Sequence, residues 1–184
     1  MSTATLITAE EFAGMSFDRP VELVRGEIIE MTNPGGRHGN LCFRLGGIIF
    51  RWIESHPEFD AASNDTGVLL EQDLDTVRGP DILVMRKSRL PGGQFPKTHL
   101  TDSPELAIEV RSPSDRTSEV LEKVAMYLAA GVVEVWVVDP GHRVVHVYHE
   151  SDGDLTVSEQ ETLTSACLPD FALPLAELFQ GMTP

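Results

Sequence analysis

The stretches RGPDILVM (78–85), PELAIEVRSPS (104–114) and EKVAMYLAAGVVEVWVVDP (122–140) decide the fold of this chain. The first two are short apolar runs suited to β-strands, and they contain the acids Asp81 and Glu109. The third begins with apolar residues at helical spacing and, after a glycine, continues as an apolar run typical of a strand buried on both faces. This order of strand, strand, helix and strand predicts an α/β fold, with a mixed β-sheet flanked by helices.

The segments around this core predict a hairpin and further helices. The stretch VELVRGEIIEM (21–31) predicts an N-terminal β-hairpin with its turn near Gly26. Thr8 and Glu11 form a capping-box pattern before a short helix, and apolar residues at helical spacing begin at about His38. We also expect strands over 66–72 and 144–148, a helix capped by Ser114 or Asp115, a long loop over 86–103 and a short helix over 175–179.

The composition is that of an ordinary globular protein. Of 184 residues, 41% are hydrophobic and 23% charged, so we expect a single domain over residues 1–184. No apolar run approaches the roughly 20 residues of a membrane helix, and the N-terminus lacks a signal-peptide pattern, which predicts a cytoplasmic protein without a membrane partner. Cys42 and Cys167 lie isolated in apolar stretches. We interpret them as reduced packing residues, and we expect no structural zinc site because neither has a Cys-x-x-Cys partner.

The strong negative charge bears on the choice of substrate. The chain has 14 Lys and Arg residues against 29 acids, for a net charge of −15. Because non-specific DNA binding depends on neutralising phosphates with basic residues, this composition disfavours simple electrostatic attraction to DNA. A DNA enzyme of this kind needs a local basic strip, a metal ion that offsets its acids, or a partner.

Two strand acids and a helix lysine are the main candidates for chemistry. Asp81, Glu109 and Lys123 together have the composition of a Mg²⁺-dependent phosphodiesterase site. The lysine could orient water, contact the phosphate or, with a depressed pKa, act as a base. Simpler interpretations stay open: Asp81 caps the turn after Pro80, Glu109 is exposed or paired, and Lys123 pairs with Glu119 four residues before it.

Three further polar residues are lesser candidates. Strand alternation places Arg111 on the same face as Glu109, where it could stabilise negative charge or pair with Glu109 or Glu105. His38 at the start of a helix and Glu27 beside the hairpin turn could each supply an extra metal ligand. Alternatively, His38 is structural or lies at the surface, and Glu27 is exposed to solvent.

Taken in order, these motifs resemble the Uma-two (Uma2) family, which is assigned to the PD-(D/E)XK nuclease superfamily. The resemblance covers about residues 6–148, and LPDFALPLAELF (168–179) is also similar. It rests on the hairpin stretch, the start of the helix at His38, TGVLLEQ (66–72) and the three stretches quoted first. The resemblance implies a restriction-endonuclease-like fold, and Glu27 and His38 match the other polar positions of the family.

The resemblance also assigns roles to the strand acids. Asp81 and Glu109 correspond to the metal-binding acids of the superfamily, whose usual lysine, two residues after the second acid, is here Arg111. The lysine role then passes to the following helix, at Lys123. With the carbonyl of Val110, the two acids would hold Mg²⁺ or Mn²⁺.

Together these observations predict a metal-dependent endonuclease, or another phosphodiesterase, that hydrolyses DNA with a metal-activated water. His38 and Glu27 would support the metal or the substrate. Because restriction-type nucleases often pair to cut two strands, we also expect a homodimer. Two alternatives remain at this stage, namely a non-catalytic interaction module on a nuclease fold and a metal hydrolase of a small phosphorylated substrate.

Overall fold

A computed structural model describes residues 6–150 and 153–182 of the chain. Its helices are α1 Ala9–Ala13, α2 Gly36–Ser55, α3 Thr117–Ala129 and α4 Leu175–Leu178, with short 3₁₀ turns at Lys87–Arg89 and Pro91–Gly93. Its strands are β1 Val21–Val24, β2 Glu27–Glu30, β3 Phe59–Ser63, β4 Val68–Glu71, β5 Thr76–Arg78, β6 Ile82–Arg86, β7 Leu106–Val110, β8 Glu134–Asp139, β9 Val144–His149, β10 Leu155–Ser158, β11 Thr162–Thr164 and β12 Ala172–Pro174.

The central sheet has the strand order β10-β9-β8-β7-β6-β3. Strands β7 and β8 are parallel, and the other neighbouring pairs are antiparallel. Helix α3 makes the crossover that a parallel pair requires, which places it against the sheet beside its parallel strands. The predicted mixed sheet is therefore confirmed. Every residue of β8 is buried, as its apolar run predicts.

Hydrophobic packing covers both faces of this sheet. On one face, α2 contributes Leu41, Leu45, Ile49 and Trp52 at helical spacing, all buried. On the other face, the core includes buried Tyr127 of α3 together with residues of β4, β6 and β8. Burial of each large apolar side chain stabilises the fold by about 1.5–3 kcal/mol. The sheet is therefore a rigid base for polar groups at the ends of its strands.

A second, smaller sheet has the order β2-β1-β5-β4 and contains the predicted N-terminal hairpin. The hairpin turn uses Arg25 and Gly26, both with positive φ. Gly26 is required for a second reason, since a Cβ there would lie 2.9 Å from the Cβ of Leu6. The predicted capping box is confirmed, with the Thr8 and Glu11 side chains each bonded to the other's backbone N–H.

The structure also corrects several expectations. The sequence patterns do not predict β3, a short strand that pairs with β6, or β5, a short strand that pairs with β1 and with β4. The predicted caps of α3 are wrong, because Arg116 occupies the N-cap position. The Asp115 carboxylate instead accepts a hydrogen bond of 2.7 Å from the Ser112 N–H. Among residues 6–150 and 153–182, no helix has the length and hydrophobicity needed to cross a membrane.

Candidate active site

The two candidate acids lie at the same end of the neighbouring strands β6 and β7. These strands are antiparallel, with Ile82 opposite Ile108. Extending this register by one residue places Asp81 opposite Glu109, and side chains opposite each other in an antiparallel pair share a face of the sheet. The structure therefore brings together two carboxylates that are 28 residues apart in sequence.

Asp81 is held by two hydrogen bonds to one oxygen. The backbone N–H of Val110 donates to Oδ2 at 2.7 Å, and Nε2 of His38 lies 3.2 Å from the same atom. The hydrogen bond to Asp81 raises the pKa of His38 to about 10, with a smaller contribution from Cys42. His38 is thus protonated at neutral pH and forms a largely buried ion pair with Asp81. A turn-capping role alone does not account for these contacts.

Glu109 is held by a tyrosine and a lysine of α3. The hydroxyl of Tyr127 donates to Oε1 at 2.8 Å, and Nζ of Lys123 lies 3.5 Å from Oε2. Burial raises the pKa of Glu109 to about 7, although the charge of Lys123 acts in the opposite direction. Burial also raises the pKa of Tyr127 well above its usual value, so the phenol remains a donor. Glu109 is therefore a buried acid that can change charge near neutral pH.

Lys123 bridges Glu109 to a third acid that the sequence analysis did not identify. Its Nζ lies 3.1 Å from Oε1 of Glu22, whereas Glu119, the alternative partner, pairs with Arg116 at 3.6 Å. Burial lowers the pKa of Lys123, but the carboxylates of Glu109 and Glu22 outweigh this effect and raise it above its ordinary value. The suggestion that a depressed pKa makes Lys123 a base is therefore wrong, because the side chain is a stable ammonium.

Glu22 on β1, and not Glu27, is the hairpin acid that is buried beside Lys123. It is buried, accepts a hydrogen bond of 2.7 Å from Arg78 and lies 3.3 Å from the N–H of Gly79. Glu27 is exposed beside the hairpin turn. Glu22 has the same sequence signal as Glu109, an acid flanked by apolar residues within a strand. That criterion, applied to the hairpin, would have identified Glu22.

The sequence leaves open a pairing of Arg111 with Glu109 or Glu105, but Arg111 pairs with neither of them. Its NH1 donates to Asp139 at 3.0 Å, and its NH2 contacts the carbonyl of Asp115 at 3.4 Å. The parallel register of β7 and β8 explains the choice, since Val110 lies opposite Val138 and the next residues are Arg111 and Asp139. Arg111 thus fastens the end of β7 to β8 beside the candidate site.

A cavity of about 850 Å³ between the hairpin, the strand ends and α3 is lined by Glu22, His38, Asp81, Glu109, Arg111 and Lys123. Thr98 and His99 of the 86–103 loop also contribute to its lining, as does Asp65. Burial raises the pKa of Asp65, and the charge of Asp81 adds to this effect. The lining also includes one group of apolar residues from the N-terminal segment and the hairpin: Phe12, Met15, Phe17, Val21, Ile29 and Met31.

Comparison with known proteins agrees with this architecture. A family model described as "Putative restriction endonuclease" matches residues 9–176. A solved structure from Anabaena variabilis, described as a putative nuclease belonging to DUF820, superposes with a TM-score of 0.81 at 23% identity, covering 94% of this chain and 97% of that one. At this identity the match shows a shared fold, and the predicted fold class is confirmed. No curated protein sequence matches the chain.

Proposed function

The chain belongs to the Uma2 family, and from this membership we propose that it is a metal-dependent nuclease that hydrolyses phosphodiester bonds in DNA. The family description and the site support a nuclease in different ways. The description names an endonuclease, and the site combines acids and a lysine of the kind used in phosphodiester hydrolysis.

One observation carries the proposal. Asp81 and Glu109 lie opposite each other at the ends of β6 and β7, and the ammonium of Lys123 lies 3.5 Å from Glu109 in the same cavity. Nothing in a purely structural role requires a buried acid with a pKa of about 7 to face another carboxylate. Such an arrangement is typical of a site that binds a cation.

The donor groups fit a hard divalent cation. Asp81 and Glu109 offer carboxylate oxygens and Val110 a backbone carbonyl, which are the ligands that Mg²⁺ and Mn²⁺ prefer. Both hydrogen bonds described for the Asp81 side chain end on Oδ2, so Oδ1 is the natural ligand atom. A cation at this position would supply Lewis acidity toward the phosphate and lower the pKa of a water molecule.

The surrounding residues orient the two acids and supply a positive charge beside them. His38 and the Val110 N–H orient Asp81, while the Tyr127 hydroxyl orients Glu109. Lys123, as a permanent ammonium, directs its N–H groups toward the attacking water or toward a phosphate oxygen, where it offsets negative charge. Glu22, itself held by Arg78, keeps the lysine chain over the sheet.

The charge of the chain favours one second candidate. Because the net charge is −15 and the cavity lining includes acids such as Glu30, Asp115 and Glu122, a long polyanion is repelled over much of the surface. A small phosphorylated substrate exposes fewer charges to this repulsion. Hydrolysis of such a substrate by the same residues is therefore the alternative activity, and an interaction module without catalysis is the remaining outcome.

A single set of variants tests these possibilities. Asp81→Asn and Glu109→Gln keep side-chain shape but remove charge, and Glu54→Gln makes the same charge change at an exposed residue of α2 that does not line the cavity. We expect the wild type to bind Mn²⁺ in calorimetry and to nick plasmid DNA with Mg²⁺ or Mn²⁺, but not with a chelator. The two site variants should lose more than about 100-fold in cleavage, and the Glu54 variant should resemble the wild type.

The same assay separates the alternatives. Cleavage of a small chromogenic phosphodiester without cleavage of any DNA would favour the second candidate. Absence of metal binding and of cleavage in the wild type would overturn both catalytic proposals and leave an interaction module. A homodimer remains a prediction, to be tested by sedimentation equilibrium with and without DNA.

A further inference from the structure

A second group of possible metal ligands adjoins the proposed catalytic acids. His38 and Cys42 are four residues apart on α2, so both side chains project from one face of the helix. The Sγ atom of Cys42 lies 3.5 Å from Nδ1 of His38, and Asp81 lies 3.2 Å from Nε2 of the same ring. One ligand atom from each of these three residues lies within 4.8 Å of the others.

We propose that His38, Cys42 and Asp81 form a binding site for a divalent cation with affinity for nitrogen and sulfur, such as Zn²⁺ or Co²⁺. This site is distinct in chemistry from the oxygen-lined Mg²⁺ position, although the two share Asp81. The inference rests on the geometry of the three side chains and does not require that the protein cleave DNA.

The ligand chemistry selects the class of ion. An imidazole nitrogen and a thiolate sulfur favour borderline and soft ions, whereas Mg²⁺ prefers oxygen and bonds weakly to sulfur. Three protein ligands with one open position are the usual arrangement of a reactive zinc site. Here His38 and Asp81 both line the cavity, so an open fourth position would face the space where a substrate enters.

The observed distances are close to those that binding requires. In a tetrahedral zinc site, nitrogen, oxygen and sulfur ligands lie about 3.5 Å from one another. The contacts of 3.2 Å and 3.5 Å already have this length, but they involve the two different nitrogens of the ring. Because one nitrogen binds the ion, the ring must rotate and exchange one of these contacts for the metal. Binding also releases the thiol proton and a proton from the pair of His38 and Asp81.

The alternative is that these contacts serve only to orient Asp81. In that case Cys42 is a packing residue, as the sequence analysis predicts, and His38 is an ion-pair partner. Both interpretations explain the contacts of His38 with Asp81 and Cys42 in the absence of an ion. They differ in what happens when Co²⁺ is added. A thiolate ligand gives Co²⁺ a charge-transfer absorption in the near ultraviolet, which an imidazole or carboxylate ligand does not.

The decisive experiment is a titration of the whole protein with Co²⁺, followed by absorption and then by displacement with Zn²⁺. We expect the wild type to show the thiolate band and Zn²⁺ to remove it. Cys42→Ser should abolish the band. Cys167→Ser is the matched control and should retain it, because Cys167 is the other partly buried cysteine and lies beside Ser165. Circular dichroism on the same samples establishes that each variant is folded.

A second variant keeps the test independent of Cys42. His38→Gln should weaken Co²⁺ binding by more than about 100-fold. Loss of a residue that only orients a metal ligand weakens binding by at most about 100-fold, so a larger loss identifies His38 as a ligand. Absence of the band in the wild type, or its persistence in Cys42→Ser, would overturn the inference. Plasmid cleavage with Mg²⁺ is measured separately, so loss of the nuclease proposal would leave a positive Co²⁺ result intact.

Discussion

Replacing Lys123 with methionine tests the electrostatic design of the site. The change removes the cation that lies 3.1 Å from Glu22 and 3.5 Å from Glu109, and it keeps a long apolar side chain. Glu22 retains its hydrogen bond of 2.7 Å from Arg78. Glu109 retains the Tyr127 hydroxyl, which carries no charge, so the effect of the substitution falls mainly on Glu109.

The size of the effect follows from burial. Removing one partner of a buried ion pair costs about 3–5 kcal/mol. The side chains of Lys123 and Glu109 are 16% and 14% exposed, which places the expected loss near the lower limit, about 3 kcal/mol at pH 8. Without the lysine, the pKa of Glu109 rises further above its wild-type value of about 7.

The loss should therefore depend on pH. Between the unfolded pKa of 4.5 and the raised folded pKa, the folded state holds the extra proton, so stability falls as pH rises. At pH 6 Glu109 is already protonated, and the cost of Lys123→Met should fall to roughly half or less. Lys97→Met, at an exposed position of the 86–103 loop, is the matched control.

Urea unfolding of the wild type and both variants at pH 6 and pH 8 measures these free energies. A loss below about 1 kcal/mol at pH 8 is what a solvated surface pair gives, and it would contradict the buried bridge. An equal loss at both pH values would show that Glu109 is not the group that responds.

Two further predictions concern the same buried acid. Wild-type stability should fall by about 2.5 kcal/mol from pH 5 to pH 8 on account of Glu109, and His38, with its pKa raised to about 10, acts in the same direction above pH 6.5. Saturating Mg²⁺ should flatten this profile in urea unfolding, and an identical profile with and without Mg²⁺ would count against a cation at the acids. Tyr127→Phe removes the hydrogen bond of 2.8 Å to the Glu109 carboxylate. The free energy of unfolding at pH 8 should fall by about 1.5–3 kcal/mol. A loss within 0.5 kcal/mol, roughly that of an ordinary surface substitution, would show that the bond is weak.

Several features of the fold could be predicted because their causes are local. The Thr8 cap depends on a side chain and an N–H three residues apart, and the hairpin turn depends on the φ that Gly26 allows. The apolar run of β8 indicates burial on both faces without reference to any other segment. The resemblance to a family then supplied the restriction-endonuclease-like fold to which these elements belong.

Other features could not be predicted because their partners are distant in the chain. Arg111 pairs with Asp139 because β7 and β8 are parallel in one register, and a shift of one residue would offer a different partner. The caps expected for α3 were wrong for a related reason, since Asp115 bonds to Ser112 in the turn that leads from β7. Register and turn geometry are properties of the assembled sheet.

The candidate site shows the same division. Its chemical types are visible in the chain, because an acid just before an apolar strand, such as Asp81, or within one, such as Glu109, demands a partner wherever the strand lies. Which acids meet is a matter of packing: the β6 and β7 register places these two face to face, and the hairpin presents Glu22 to Lys123 while Glu27 remains in solvent. The local sequence determines which polar residues are buried and therefore need a partner. The partners themselves, and the pKa values, depend on distances between segments that only folding brings together.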